Sequence, residues 1–253
     1  SFNGERPLLP MIDQHKDPGE ITVDVVIPVL NEQAALANSV EALRTFLIET
    51  CPYKWRIVVA DNASTDATPR ICAELRDRYP GEVDFVRLEQ KGRGRALRMA
   101  WTQSTADVVC YMDVDLSTNL RALPPMLAAL IHSDYDLATG SRLVHGAIVS
   151  RQWKREIISR AYNFLIRVMF WHRFRDAQCG FKGATRRAVH DLVPQVKDQA
   201  WFFDTELLLK GERQGYRIFE LPVEWIEDLD TRVKIISTAW DDIKGLVRVS
   251  LGG

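Results

Sequence analysis

The sequence is poor in the features that mark several large functional classes. Its four cysteines, Cys51, Cys72, Cys110 and Cys179, are spread through 253 residues without a C-x-x-C pair. That spacing argues against a zinc-ligand pattern and against a secreted disulfide framework, so reduced, cytosolic core thiols are expected. No run of about 18 apolar residues occurs, so no membrane-spanning helix is expected within these boundaries. The phosphate-loop pattern G-x-x-x-x-G-K-[ST] is missing, as is the G-x-S-x-G of nucleophile-elbow hydrolases. His15, His132, His145, His172 and His190 are scattered without metal-ligand spacing. A net charge of -1 gives no reason to expect a nucleic-acid binder. Residues 1–20, "SFNGERPLLPMIDQHKDPGE", lack the basic-then-apolar order of a signal peptide and read as a polar lead-in.

What is present is enough apolar residue, 46%, to bury a substantial core in one domain with appendages. From Ile21 the apolar pattern becomes regular. "ITVDVVIPVL" is a strand run and "NEQAALANSVEALRTFLIE" follows at helical spacing. The unit repeats as "WRIVVADNAS" before "DATPRICAELRDRY", and as "VDFVRLEQ" before "GRALRMAWTQS"; "DVVCYMDVD" is a fourth strand. Apolar strands alternating with helices predict an α/β fold with a mostly parallel sheet covered on both faces. A later strand is expected over 216–225, "YRIFELPVEW", and an amphipathic helix through Val233, Ile236, Trp240, Ile243 and Val247.

In such sheets ligands bind beyond the carboxyl ends of the strands. Polar residues fall there: Asn31 and Glu32, Asp61 and Asn62, Lys91 to Arg95, then Asp113 and Asp115. Side chains at i and i+2 of an extended strand point the same way, so Asp113 and Asp115 can share one site. Two such carboxylates can hold a hard dication, Mg²⁺ or Mn²⁺, together with substrate phosphates; a solvated strand-to-loop junction is the alternative. Gly92 and Gly94 can let the backbone approach a phosphate, or simply open a helix with exposed basic residues. Asp176, Gln178, Asp204 and Glu206 interrupt aromatic or apolar surroundings, an environment that perturbs carboxylates, with salt bridges to arginines as the rival explanation.

From Arg142 to Arg175 the chain carries eight Arg or Lys against one acidic residue, Glu156. Ile157, Ala161, Phe164, Val168 and Trp171 fall on one helical face. Such a helix can lie on an anionic membrane surface, or serve as a core helix with a solvated basic edge.

Taken in order, "VVIPVLNE", "VVADNASTD", "KGRGRAL", "MDVDLS", "GSR", "RDAQCGFK" and "WFFDTELL" resemble the family 2 inverting glycosyltransferases of GT-A fold, a Rossmann-like sheet flanked by helices. Within them the polyprenyl- and dolichyl-phosphate sugar synthases look most similar, over roughly residues 21 to 240. The resemblance implies that Pro28, Leu30 and Glu32 line the base and ribose pocket and that Asp61 hydrogen-bonds the nucleobase. It further implies that Arg93 lies near the nucleotide and that Asp113 and Asp115 bind a divalent cation and the donor diphosphate. Ser141 and Arg142 match a phosphate-proximal loop. Trp153, Arg155, Ser159, Arg160 and Asn163 match a stretch beside the lipid-phosphate acceptor, with Arg232 and Lys234 as further phosphate contacts. Two positions depart from the pattern: Ser117 stands where relatives carry Gln, and Leu30 where an aromatic is common.

The expected activity is transfer of a sugar, UDP-glucose being the first donor and GDP-mannose the second, to a polyprenyl phosphate with inversion. Asp176 is the candidate general base or acceptor-orienting group, supported by Gln178, Asp204 and Glu206. A nucleotide-sugar-binding module without turnover and a soluble transferase remain the alternatives. The expected organisation is a lead-in over 1–20, a catalytic domain over 21–230 and a C-terminal amphipathic helix over 231–253. The domain is expected on the cytoplasmic face of a membrane, with homo-oligomerisation left open.

Overall fold

The computed structural model describes residues 12, 16–142, 148–150, 164, 173–200 and 202–226. After a 3-10 turn at Pro18–Glu20, strand and helix alternate as expected: β1 (Thr22–Val29), α1 (Leu36–Thr50), β2 (Lys54–Asp61), α2 (Thr68–Arg78), β3 (Val83–Arg87), α3 (Arg93–Gln103) and β4 (Val108–Met112). Then come α4 (Leu123–His132), β5 (Leu137–Ser141), β6 (Ile148–Ser150), β7 (Phe181–Thr185), α5 (Arg186–Leu192), α6 (Phe203–Arg213), β8 (Ile218–Pro222) and β9 (Glu224–Ile226).

Seven strands form one sheet in the order β3-β2-β1-β4-β7-β5-β8. All run parallel except β7, which is antiparallel to both neighbours. Alternate residues of each strand supply the two faces. Val23, Val25, Ile27 and Val29 join α1 residues Leu36, Val40, Leu43 and Leu47 and α4 residues Met126 and Leu130. On the other face Val26, Val58, Val109 and Tyr111 meet Leu97 and Trp101 of α3 and Phe203 and Leu207 of α6. Each large apolar side chain buried this way contributes about 1.5–3 kcal/mol. The continuous apolar runs in the sequence follow from this burial on both faces.

The strand expected over 216–225 is two strands. β8 ends at Pro222, Val223 donates its N–H to Ser141 O at 3.2 Å, and β9 leaves to pair with β6 in a separate two-stranded sheet. The basic helix read through Ile157 to Trp171 and the helix through Val233 to Val247 lie outside the described residues, apart from Phe164.

Candidate functional site

The register aligns the strand ends. Val29 sits opposite Asp61 in the β1–β2 pair, so Leu30, Asn31 and Glu32 emerge beside Asp61 and Asn62. The two loops are tied together: Asn31 N–H donates to Ser64 Oγ at 2.9 Å, Glu32 N–H to Thr68 Oγ1 at 2.9 Å, and Asn31 Oδ1 accepts from Thr65 N–H at 2.8 Å. Asn31, Ala63 and Leu116, all just past strands β1, β2 and β4, have positive φ of 56°, 56° and 50°. Left-handed backbone costs about 1–2 kcal/mol at a non-glycine residue, and strain of this kind gathers at functional sites.

Asp61 is fully buried at the end of β2. Its Oδ1 accepts the Ser64 N–H at 3.0 Å, whereas Oδ2 is buried without a hydrogen-bond partner, its nearest cation being Arg87 Nε at 3.7 Å. A buried carboxylate oxygen in that state costs stability unless a ligand donor meets it. Leu30 is exposed and Pro28 half-buried above it, with Glu32 half-buried at the rim.

The glycines of "KGRGRAL" do a different job from the one their spacing suggested. A Cβ on Gly92 would lie 2.6 Å from Gln199 O, and one on Gly94 would lie 2.7 Å from Phe203 Cβ and 2.8 Å from Ala200 O. The pair admits the 199–203 backbone against α3, and Gly92 stands at the N-terminus of that helix, the alternative to a phosphate approach. Arg93, at the first turn of α3, turns inward instead of staying exposed. Its Nη2 meets Asp113 Oδ1 at 3.0 Å and its Nη1 meets Asp204 Oδ2 at 3.2 Å. Tyr111 donates its hydroxyl to the same Asp204 oxygen, and Lys182 Nζ stands 3.7 Å from it. Burial, then the charge of Asp204, holds the Tyr111 phenol well above its ordinary range.

Asp113 and Asp115 are not on an extended strand. β4 stops at Met112, the Leu116 N–H returns to Asp113 O at 3.1 Å, and the pair occupies a tight turn. Asp115 is exposed and its Oδ1 accepts the Ser117 N–H at 3.0 Å. Asp113 is 37% exposed, and its Oδ2 abuts Gly180, where an added Cβ would lie at 1.8 Å. No group of three or more potential metal-ligating side chains of the His, Cys, Asp and Glu types gathers among the described residues. Two hard carboxylate donors that both reach solvent nevertheless fit a dication that takes its remaining ligands from water and substrate phosphates.

Across Gly180 lies a second cluster. Asp176, with no exposed surface, takes Arg142 Nε at 2.7 Å and Nη2 at 2.8 Å in a two-pronged pair, and also accepts the Arg142 N–H at 3.0 Å. The Gln178 N–H adds a longer bond at 3.3 Å. Burial pushes the Asp176 carboxyl up, but the charge and hydrogen bonds of Arg142 overcome it and leave it below its ordinary value. Glu220, on β8, accepts the N–H groups of Arg175 at 2.7 Å and Asp176 at 3.1 Å and a bond from Ser141. Ser141, expected near the acceptor phosphate, is fully buried and donates to Glu220.

Asp204 and Glu206 part company because residues two apart on a helix do not share a face. Asp204 faces Arg93. Glu206, fully buried, receives the N–H groups of Lys197 at 2.9 Å and Asp198 at 3.0 Å and shapes the loop that packs on the glycines. Sequence reading passed over Tyr111, Lys182 and Glu220. Tyr111 sits in an apolar run, whereas Lys182, a lysine at an inward strand position, was the one available signal. Arg155, Arg232 and Lys234, expected at the acceptor phosphate, lie outside the described residues, as do Trp153, Ser159, Arg160 and Asn163.

The strand ends thus gather a buried carboxylate, an acidic turn and an arginine paired with that turn. The family model described as Glycosyl transferase family 2 matches residues 24–193. The chain belongs to glycosyl transferase family 2. Among family members, glycosyltransferase AglD of Haloferax volcanii is 37% identical over 224 residues, 85% of this chain and 35% of that protein. Dolichyl-phosphate beta-glucosyltransferase of Saccharomyces cerevisiae is 27% identical over 237 residues, 87% of this chain and 71% of that protein. The chain thus spans little more than a third of the archaeal relative. Glucosyl-3-phosphoglycerate synthase from Mycobacterium tuberculosis, solved with Mn²⁺, uridine diphosphate and glucosyl-3-phosphoglycerate, superposes with a TM-score of 0.69 at 17% identity, over 92% of this chain and 80% of that one. The shared architecture is the GT-A fold that the ordered motifs of this family 2 chain led us to expect. No helix among the described residues is long and apolar enough to cross a membrane.

Proposed function

We propose that this domain transfers glucose from UDP-glucose to a polyprenyl phosphate with inversion, working at a membrane surface. The observation that carries the reading is that Asp113, packed against Gly180, lies close enough to the Asp176–Arg142 pair for its charge to act on the Arg142 guanidinium. A donor diphosphate held on one side would face a fixed guanidinium on the other. The names of the dolichyl-phosphate beta-glucosyltransferase relatives support the sugar and the lipid acceptor.

On the donor side, Asp61 Oδ2 accepts a base N–H, with Pro28 and Leu30 offering an apolar face and Glu32 a rim carboxylate for the ribose. Asp113 and Asp115 would hold Mg²⁺ or Mn²⁺, which supplies positive charge to the departing diphosphate. On the acceptor side, Arg142 binds the phosphate. A phosphomonoester has a second pKa of about 6, so the nucleophile is anionic near neutral pH and needs placing more than deprotonating. Asp176, ionised and fully engaged with Arg142, serves as the group that aims that arginine. Arg155, Arg232 and Lys234 add basic contacts to the phosphate, and the basic stretch through 142–175 meets the anionic membrane.

The test is incubation of the chain with radiolabelled UDP-glucose or GDP-mannose, a polyprenyl phosphate in detergent, and Mn²⁺ or chelator. Label should enter the lipid phase from UDP-glucose and stop with chelator. Faster transfer from GDP-mannose would overturn the donor, and binding without transfer would favour a non-catalytic module.

A further inference from the structure

Arg93, Lys182, Asp113 and Asp204 make a cluster in which Arg93, Lys182 and Asp204 are nearly sealed, at 10%, 1% and 5% exposed, and Asp113, at 37%, is the member that reaches solvent. Two cations and two anions leave it neutral as it stands. A dication added alone at Asp113 and Asp115 would leave net positive charge beside a guanidinium 3.0 Å from the Asp113 carboxylate, a like-charge contact that opposes metal binding. A dication that arrives with a diphosphate brings its own counter-charge, and phosphate oxygens offer the guanidinium a two-pronged partner in exchange for Asp113. The far end of Arg93 is prepared for that exchange. It already holds Asp204 Oδ2 at 3.2 Å, and Asp204 Oδ1 is buried without a hydrogen-bond partner, an acceptor on which a released guanidinium can close a second bond.

We infer that Arg93 is an internal counter-cation that closes Asp113 to metal until a nucleoside diphosphate arrives, with Asp204, Tyr111 and Lys182 as the dock that keeps it in reach. This rests on the proposed reading of Asp113 as a metal-binding carboxylate. The device makes metal and donor binding mutually dependent. Apparent metal affinity without donor is reduced by the fraction of molecules in which the Arg93–Asp113 pair is open, and linkage requires each ligand to tighten the other by the same factor.

The experiment is Mn²⁺ binding, followed by the electron paramagnetic resonance signal of the free ion, with and without UDP. Wild type, Arg93→Met, Arg93→Lys and Asp113→Asn are compared, each first checked for a cooperative melt. In wild type UDP should tighten Mn²⁺ binding by a factor within the usual range of about 5–150. Arg93→Met should bind Mn²⁺ alone roughly tenfold tighter than wild type and gain less from UDP. Arg93→Lys, whose single ammonium cannot fork between two carboxylates, should do the same while keeping a cation beside Asp204, and it decides the matter if the methionine variant does not fold. A gain of binding is not something a damaged fold produces. If folded Arg93 variants bind Mn²⁺ alone no tighter than wild type, while Asp113→Asn loses the UDP-dependent binding, the inference is overturned and the metal reading stands. If Asp113→Asn binds Mn²⁺ with UDP as wild type does, the metal reading falls and takes the inference with it.

Discussion

The two halves of the site use carboxylates in opposite ways. In the donor half, Asp61 keeps a buried oxygen without a hydrogen-bond partner and Asp113 keeps contact with solvent. Both are held by the protein, and both retain capacity for a ligand. In the acceptor half, Asp176 has no exposed surface and receives two side-chain and two backbone hydrogen bonds. On the proposed reading the difference separates binding from aiming: the carboxylates assigned to ligands are left incomplete, and the one assigned to position an arginine is saturated.

The sharpest way to break this contrast is Asp176→Ala. Removing one partner of a fully buried ion pair leaves the other charge uncompensated, at a cost of about 3–5 kcal/mol, read by denaturant melts, and sugar transfer should fall to background. Asp113→Asn should give the reverse profile. Arg93 still has Asp204, and Asp113 itself is over a third exposed, so stability should change by less than about 1 kcal/mol while transfer drops roughly a hundredfold or more. Equal losses of stability in the two variants would dissolve the distinction.

A gentler probe is acid. The Asp176 carboxyl is held below its ordinary 3.8 in the fold, so the unfolded chain takes up its proton first as pH falls. Its stabilising contribution is therefore fully present above about 3.8 and is lost as pH drops through the lowered folded value. Chemical melts taken from pH 6 down to pH 2 should show wild type losing this component, and Asp176→Asn should lack it. Asp113→Asn should retain it.

The donor half was legible in the sequence because its polar residues follow apolar runs of a parallel sheet, and chain order there is nearly spatial order. Asp61, Asp113 and the loop after β1 stand at the strand ends as that pattern requires. The acceptor half was legible only as motifs. β7, inserted antiparallel between β4 and β5, pairs Met112 with Phe181, and nothing in "FKGAT" announces a partner about seventy residues earlier in the chain. The same gap hid Lys182 and Tyr111 as neighbours across that pairing, and Glu220 as the support for Asp176. The extended geometry expected for the acidic pair gives way to a strand-to-loop turn because Leu116 takes up positive φ, and Gly92 and Gly94 open a helix while making room for the 199–203 backbone.

Gly180 marks the seam between the halves, and an added methyl there would fall 1.8 Å from Asp113 Oδ2. As a manufacturing tolerance, that is no clearance at all: the acceptor loop cannot acquire even an alanine at this point without shifting a donor-side carboxylate. Anyone grafting a new acceptor segment onto this scaffold therefore inherits a fixed mounting point, and the transplant must bring its own glycine to position 180.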